Sequence, residues 1–146
     1  MTASSENLAF VDTNIVLYAY DREDPRKHQI ASQLIMDLSA SGRLAFSAQI
    51  LNELAVVLLR GGKDRKPLPI SEVREIVEEV AALGIVVPVT ESLTSIALGG
   101  VSQHGLSYWD SVIWAAAKLH RAGTLYTEDF QHGRLVEGVA IVNPFV

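Results

Sequence analysis

Short apolar runs alternate with longer amphipathic stretches along this chain, and no other feature constrains its fold as strongly. The apolar runs read as buried strands, and the stretches between them carry apolar residues at helical spacing. Strands that alternate with helices predict a parallel sheet covered by helices on both faces. The five predicted strands are residues 8–11, 44–46, 85–87, 124–126 and 139–142.

Polar residues suited to helix N-caps precede several of the helical stretches. No repeat or low-complexity tract is present, and no Gly- or Pro-rich linker divides the chain. A chain of 146 residues can bury one substantial core. The sequence therefore predicts a single domain over residues 1–146. The predicted capping residues are Asp12, Ser47, Ser71, Thr90 and Ser107.

The composition narrows the class of protein. Hydrophobic residues make up 49% and charged residues 20%, as in globular rather than disordered chains. Cysteine is absent, which excludes disulfides and thiolate metal sites. Residues 1–7 lack the basic start and apolar run of a signal peptide, and no apolar run is long enough to span a membrane. We therefore expect a cytoplasmic protein without a membrane segment.

Two acidic residues follow predicted strands. Asp12 comes directly after the first strand, and Asp129 lies just past the fourth. Ligands of open parallel sheets bind beyond the carboxyl ends of the strands, where the strand order reverses. If these two strands are neighbours, both carboxylates face one crevice. Each residue also has an ordinary interpretation, since Asp12 can cap a helix and Asp129 can be a loop residue.

Two further acids stand in apolar surroundings within predicted helices. Glu53 is flanked by Leu51 and Leu54, and Asp110 follows Trp109 in the first turn of its helix. Glu53 can equally be a solvated helix residue. Asp110 lies three positions after Ser107, so it can complete a capping box instead of serving catalysis.

Several carboxylates at one place repel one another unless a cation is bound between them. Mg²⁺ or Mn²⁺ is the matching cation, because hard divalent ions prefer oxygen ligands. Metals held by carboxylates activate water and clamp phosphate oxygens in phosphodiester hydrolysis. The joint pattern of acids therefore favours a metal-dependent hydrolase of phosphodiesters.

One basic segment stands out in an acidic chain. The formal net charge of −5 argues against simple electrostatic binding of nucleic acid. Four basic residues nevertheless surround a single acid between positions 60 and 66, and they can contact RNA or form a solvated turn. The candidates for RNA contact are Arg60, Lys63, Arg65 and Lys66.

Four motifs in order along the whole chain resemble those of the PIN-domain family, especially VapC-type toxins of bacterial toxin–antitoxin pairs. They are Phe-Val-Asp-Thr-Asn at 10–14, Asn-Glu-Leu at 52–54, Leu-Ser-Tyr-Trp-Asp-Ser-Val-Ile at 106–113 and Leu-Tyr-Thr-Glu-Asp-Phe at 125–130. The resemblance implies a PIN-like three-layer α/β/α sandwich. It also implies a five-stranded parallel sheet in the order 3-2-1-4-5.

The resemblance further implies magnesium-dependent cleavage of single-stranded RNA, a small antitoxin partner and a homodimer. The fourth acid is ambiguous, because Glu128 stands beside Asp129; the Thr-x-Asp spacing favours Asp129. The implied catalytic residues are Asp12, Glu53, Asp110 and Asp129. The implied metal ligands are Asp12, Asp110 and Asp129, helped by Glu53, with Thr13, Asn14 and Thr127 in support.

Other functions stay open. A non-catalytic binding module would use the acids structurally and offer its apolar helices to a partner. Phosphatase chemistry of the haloacid-dehalogenase type expects a second acid two residues after Asp12, where this chain has Asn14. The four histidines show no metal-binding spacing, and His132 is expected at the surface. Trp109 and Trp114 can stack on bases, but their apolar helix favours core packing.

Overall fold

The computed structural model describes residues 8–146. Residues 1–7, which the sequence predicts not to form a signal peptide, lie outside the described residues. The elements follow in the order β1 (Ala9–Val11), α1 (Thr13–Tyr20), α2 (Pro25–Ala40), β2 (Leu44–Ser47), α3 (Ala48–Arg60), α4 (Ile70–Ala82), β3 (Ile85–Val87), α5 (Glu91–His104), α6 (Tyr108–Leu119), β4 (Thr124–Tyr126), β5 (Leu135–Val136) and β6 (Val139–Val142).

One sheet runs through the middle of the domain in the order β3-β2-β1-β4-β6-β5. The pairs β3–β2, β2–β1, β1–β4 and β4–β6 are all parallel. The predicted parallel sheet in the order 3-2-1-4-5 is therefore confirmed, with β6 as the predicted fifth strand. β1 lies at the centre, and its residues Ala9, Phe10 and Val11 are buried.

The sheet has one strand more than the five predicted. β5 pairs antiparallel with β6, and Leu135 lies opposite Ala140. The turn between them places Glu137 and Gly138 at φ of +49° and +87°, the positive values that tight hairpin turns require. A strand of only two residues is too short to show an alternating pattern, so the sequence did not predict it.

The helices lie on the two faces of the sheet. The crossovers from β1 to β2 and from β2 to β3 run in one direction, and the crossover from β3 to β4 runs back. Because parallel crossovers are right-handed, α1 to α4 cover one face and α5 and α6 the other. α1 packs against α2 and α3, α3 against α4, and α5 against α6. These contacts build the predicted three-layer sandwich.

Helix N-termini match the predicted capping residues at most positions. The hydroxyl of Ser47 accepts the N–H of Gln49 at 3.1 Å, and that of Thr90 accepts the N–H of Leu93 at 3.3 Å. The prediction for Ser71 was wrong: α4 begins earlier, with Pro69 in an extended conformation as its N-cap. None of the helices between residues 8 and 146 is long and apolar enough to cross a membrane.

The two tryptophans have different environments. Trp114 is 1% exposed, and its indole N–H donates to the carbonyl of Val136 at 3.2 Å. Trp109 is 64% exposed, so core packing is confirmed for Trp114 and wrong for Trp109. Five positions on a helix correspond to a rotation of about 140°, which turns the two side chains toward different surroundings.

Candidate active site

The candidate active site lies where β1 and β4 end side by side. Asp12 follows β1, and its N–H donates to the carbonyl of Tyr126, the last residue of β4, at 2.9 Å. Thr127 is therefore the first residue past β4. The crossovers leave β1 and β4 toward opposite halves of the sheet, which opens the crevice expected at such a switch point.

Asp12 is the buried centre of the site. Its side chain is 3% exposed and accepts the N–H of Thr13 at 2.6 Å and the hydroxyl of Thr127 at 2.8 Å. Burial raises the pKa of Asp12 from 3.8 to about 6 against the effect of both hydrogen bonds; the charges of Asp129 and Glu53 add to the rise. Asp12 thus caps α1, as expected, and also faces two other acids.

Asp129 approaches Asp12 from the loop after β4. Its carboxylate accepts the amide N–H of Asn14 at 2.9 Å, and its backbone N–H donates to the Thr127 hydroxyl at 3.1 Å. Partial loss of hydration raises the pKa of Asp129, and the negative charge of Asp110 raises it further. Thr127 and Asn14, two of the predicted supporting residues, therefore hold both strand-end acids.

Glu53 reaches the site from the second turn of α3. Its carboxylate accepts hydrogen bonds from the hydroxyl of Thr13 and from the amide of Gln49 at 2.9 Å. The Gln49 amide also donates to the carbonyl of Trp109 at 3.2 Å, which links α3 to α6. Glu53 is therefore not a freely solvated helix residue. Sequence reasoning missed Gln49, although its spacing of four residues from Glu53 on a helix is a readable signal.

Asp110 stands in the first turn of α6. The Ser107 side chain makes no capping hydrogen bond, so the capping-box interpretation of Asp110 was wrong. The side chain of Asp110 makes no hydrogen bond with any other residue within residues 8–146. Its charge nevertheless acts on Asp129. The structure therefore leaves its oxygens available at the edge of the cluster formed by Asp12, Glu53, Asp110 and Asp129, hereafter the carboxylate cluster.

Glu128 turns away from the carboxylate cluster. Its two oxygens accept the hydroxyl of Tyr18 and the ammonium of Lys27, both at 2.8 Å. Asp129, by contrast, is bonded to Asn14 in α1 and senses Asp110 and Glu53. The geometry thus separates the two adjacent acids that the sequence left ambiguous.

The cluster suits a hard divalent cation by its chemistry. Its donors are all oxygens, and no Lys or Arg among the described residues forms an ion pair with any of its four acids. The side-chain oxygen of Asn14 is buried beside it without a hydrogen-bond partner. As they stand, no three His, Asp or Glu side chains within residues 8–146 are arranged to hold a metal ion. Binding an ion therefore requires these side chains to close around it.

The basic segment docks next to α1. Arg65 forms an ion pair with Asp21, the C-cap residue of α1, and pairs its backbone with Gly62. A cavity of about 180 Å³ has both Arg65 and Asn14 in its lining. The other basic residues, Arg60, Lys63 and Lys66, are exposed. Arg65 therefore borders a cavity that it shares with Asn14, the residue that donates to Asp129.

An apolar groove of about 650 Å³ opens on the other side of the site. One wall is a single face of α3, and the other is the first half of α6 together with Val89, the second residue after β3. Thr13 and Glu53 belong to its lining, so the groove ends at the carboxylate cluster. This groove was not predicted from the sequence, although the α3 residues that line it are three or four positions apart and therefore lie on one face of the helix. Its lining is completed by Gln49, Asn52, Val56, Val57, Val89, Trp109 and Val112.

Comparisons with known proteins agree with this architecture. The model of one protein family, the PIN domain, matches residues 9–137. A toxin–antitoxin complex from Klebsiella pneumoniae has a chain 19% identical, with a TM-score of 0.65 and coverage of 93% of this chain and 97% of that one. FitAcB from Neisseria gonorrhoeae is 22% identical, with a TM-score of 0.63 and coverage of 94% and 99%.

A third similar structure is VapC20 from Mycobacterium tuberculosis, described as a toxin that cleaves the sarcin–ricin loop. It is 21% identical, with a TM-score of 0.59 and coverage of 83% of this chain and 89% of that one. At these identities the structural likenesses establish the fold. Comparison with curated protein sequences gives no match to this chain.

Proposed function

The chain belongs to the PIN-domain family, a family of nucleases, and we propose that it is an endoribonuclease dependent on Mg²⁺ or Mn²⁺ that cleaves single-stranded RNA. One observation carries this proposal. Four carboxylates, from the residue after β1, from α3, from α6 and from the loop after β4, lie near one another at the switch point of a parallel sheet, and no ion pair within residues 8–146 neutralises them. Such a concentration of like charge is costly unless a cation binds there.

Asp12, Asp110 and Asp129 are the residues proposed to hold the metal, and Glu53 assists at the rim. A divalent ion bound to carboxylates supplies an activated water and neutralises the charge that develops on phosphate oxygens. Thr127 and Asn14 orient Asp12 and Asp129 through the hydrogen bonds described above. Thr13 holds Glu53 in the same way. Within residues 8–146, each acid except Asp110 thus has a hydrogen-bond partner that limits its rotation.

RNA is the proposed substrate because the basic segment borders the site. Arg65 is anchored to Asp21, which fixes the segment along α1. Lys63 and Lys66 are exposed there and can each bind a phosphate of a strand that passes the carboxylate cluster.

A toxin role is proposed from the structural neighbours, several of which are toxin–antitoxin complexes. The apolar groove supports it, since Val56 and Trp109 leave 48% and 64% of their surface exposed. An apolar segment of a small antitoxin would cover this groove and bring a basic side chain to Glu53 at its end. A short reading frame that overlaps or adjoins this gene, and whose product copurifies with the chain, would support the role.

A homodimer is proposed as well. β3 is an edge strand of the sheet, and its residues Ile85 and Val86 are 49% and 38% exposed. Exposed apolar edges of this kind are normally covered by another chain or element. Sedimentation of the purified protein at micromolar concentration would show whether two copies associate.

The decisive experiment compares Asp12→Asn, Asp110→Asn and Asp37→Asn on single-stranded RNA in Mg²⁺. Asp37 is an exposed residue near the C-terminal end of α2, and within residues 8–146 its carboxylate is hydrogen-bonded only to Gln33, so it is a matched control for the loss of one carboxylate. We expect the first two variants to lose at least about a hundredfold in kcat, and the control to cleave like wild type. Equal cleavage by all three would reject the nuclease proposal, and function that persists in EDTA would favour a binding module.

A further inference from the structure

Glu128 is the centre of a second set of polar contacts next to the carboxylate cluster. It accepts the hydroxyl of Tyr18 and the ammonium of Lys27, each at 2.8 Å, and Lys27 also donates to the Tyr18 hydroxyl at 3.2 Å. The side chains of Lys27 and Glu128 are only 27% and 22% exposed. We name these three residues the Glu128 clamp; it joins the loop after β4 to both α1 and α2.

The ammonium of Lys27 is more restricted than that of an ordinary surface lysine. It lies 4.8 Å from the ring centroid of Tyr18 and 5.2 Å from that of Phe145, and the two rings meet edge to face. Attraction to two aromatic faces limits where the ammonium can go. Arg26 adds a hydrogen bond to the carbonyl of Phe145, which holds that ring against α2. Lys27 is therefore a fixed partner for Glu128.

The loop after β4 is attached to α1 at two successive turns. Glu128 bonds to Tyr18, and its neighbour Asp129 bonds to Asn14 at 2.9 Å. Asn14 and Tyr18 are four residues apart on α1, so they lie on one side of the helix. Two attachments on one helix face fix the orientation of the loop, whereas one attachment would allow it to pivot.

We propose that Lys27 and Glu128 are positioning residues that hold Asp129 at the carboxylate cluster. This inference rests on the proposed function in so far as Asp129 is a metal ligand. Lys27 has a second effect, because it neutralises a carboxylate that would otherwise repel Asp129. Neither residue touches the reacting atoms.

Lys27→Met separates positioning from simple electrostatics, because the two explanations predict opposite changes in the affinity for a divalent cation. Removing a positive charge near an anionic site strengthens cation binding if charge alone matters. Loss of positioning weakens it instead. We expect the variant to bind Mn²⁺ about tenfold more weakly than wild type, as measured by electron paramagnetic resonance. Residues that orient metal ligands typically change metal affinity by about ten- to a hundredfold, and the expected effect is at the lower end of that range.

Two variants control this experiment. Lys27→Arg keeps the charge and the ion pair and should bind Mn²⁺ nearly as wild type does. Lys118→Met is a matched control, because Lys118 also pairs with a glutamate, Glu137, at 2.6 Å and lies 5.5 Å from the ring centroid of Trp114. It should leave Mn²⁺ affinity unchanged. Unchanged or tighter binding in Lys27→Met would overturn the proposal.

Amide exchange in the absence of metal tests the clamp independently of the nuclease proposal. The N–H of Asp129 is hydrogen-bonded to the Thr127 hydroxyl, so its exchange rate reports the order of the loop. Lys27→Met should accelerate this exchange several-fold, and Lys27→Arg and Lys118→Met should not. Unchanged exchange would refute the clamp. If the wild-type protein binds no Mn²⁺, the proposed metal site is wrong, but the exchange rates still test the Glu128 clamp.

Kinetics on RNA provide the third measurement. A displaced Asp129 affects the chemical step, so Lys27→Met should lower kcat about tenfold and leave KM for RNA within about twofold. A change confined to KM would contradict positioning and would point to contact between Lys27 and the RNA.

Discussion

The hydroxyl of Thr127 donates a hydrogen bond of 2.8 Å to Oδ2 of Asp12, across 115 positions of sequence. The same hydroxyl accepts the backbone N–H of Asp129 at 3.1 Å. One buried threonine therefore connects the acid after β1 with the acid after β4. It does so because the two strands are adjacent and parallel and end at the same edge of the sheet.

Thr127→Val should perturb both Asp12 and Asp129, because it removes the hydroxyl that bonds to each of them. The valine keeps the shape but leaves Asp12 with one hydrogen bond fewer, so the pKa of Asp12 rises further and the protein loses about 1–2 kcal/mol of stability. We expect kcat to fall about tenfold and the pH optimum to move upward. Urea denaturation and a pH–rate profile measure these effects. Thr127→Ser, which retains the hydroxyl, should resemble wild type, and equal behaviour of both variants would contradict the role of this bond.

Metal-free protein should become less stable as pH rises from about 4 to 6. The pKa of Asp12 is about 6 in the folded protein and near 3.8 when exposed. Between these values the folded state binds more protons than the unfolded state, so the free energy of unfolding falls with rising pH and levels off above pH 6. The difference corresponds to about 3 kcal/mol.

Asp12→Asn is the reference for this titration. It removes the ionisable group, so its stability should fall less over the same pH range, and at pH 7 without metal it should exceed the stability of wild type. Chemical denaturation at successive pH values measures both proteins. Parallel curves would show that Asp12 does not titrate as described.

Mg²⁺ should stabilise wild type more at pH 7.5 than at pH 5. A carboxyl group must lose its proton before it binds metal, and at pH 5 the Asp12 side chain is protonated in most molecules. At a Mg²⁺ concentration ten times the dissociation constant, the expected gain is about 1.4 kcal/mol. Thermal denaturation with and without Mg²⁺ tests this. If Mg²⁺ raised the melting temperature equally at both pH values, or raised that of Asp12→Asn as much as that of wild type, the ion would be bound elsewhere.

Substituting Lys63 and Lys66 together by alanine should weaken RNA binding and its dependence on salt. Each lost phosphate contact reduces the magnitude of the slope of log affinity against log salt concentration by about 0.7 for single strands. The slope of the double variant should therefore be smaller in magnitude by about 1.4. Binding is measured with the inactive Asp110→Asn background at several salt concentrations. Arg74→Ala, an exposed charge on α4, is the control. An unchanged slope would show that the basic segment does not contact RNA.

Much of the fold and part of the site followed from sequence alone. The apolar runs predicted the five parallel strands, because buried strands of a sheet covered on both faces must be apolar throughout. Asp12 and Asp129 followed from their places at strand ends. Ser71 was predicted wrongly as a cap, since Pro69 already sets the backbone for helix entry. β5 was too short to leave a pattern.

Other features depended on how distant elements meet. Adjacent Glu128 and Asp129 have nearly the same chemistry, and only contacts with α1 and α2 turn one toward Lys27 and the other toward Asn14. Trp109 and Trp114 share one apolar helix, yet the position of α6 relative to the sheet leaves one exposed and one buried. Neither distinction is local, so no local pattern reports it.

The sequence by itself determined the order of strands and helices and the residue types available at the strand ends, because hydrophobic periodicity and capping are local properties. The tertiary structure decided which carboxylates converge, which one pairs with Lys27, and that Asp12 is buried deeply enough to raise its pKa to about 6. Those outcomes depend on desolvation and charge at distances of a few ångströms. Such distances arise between residues more than a hundred positions apart only after the sheet has formed.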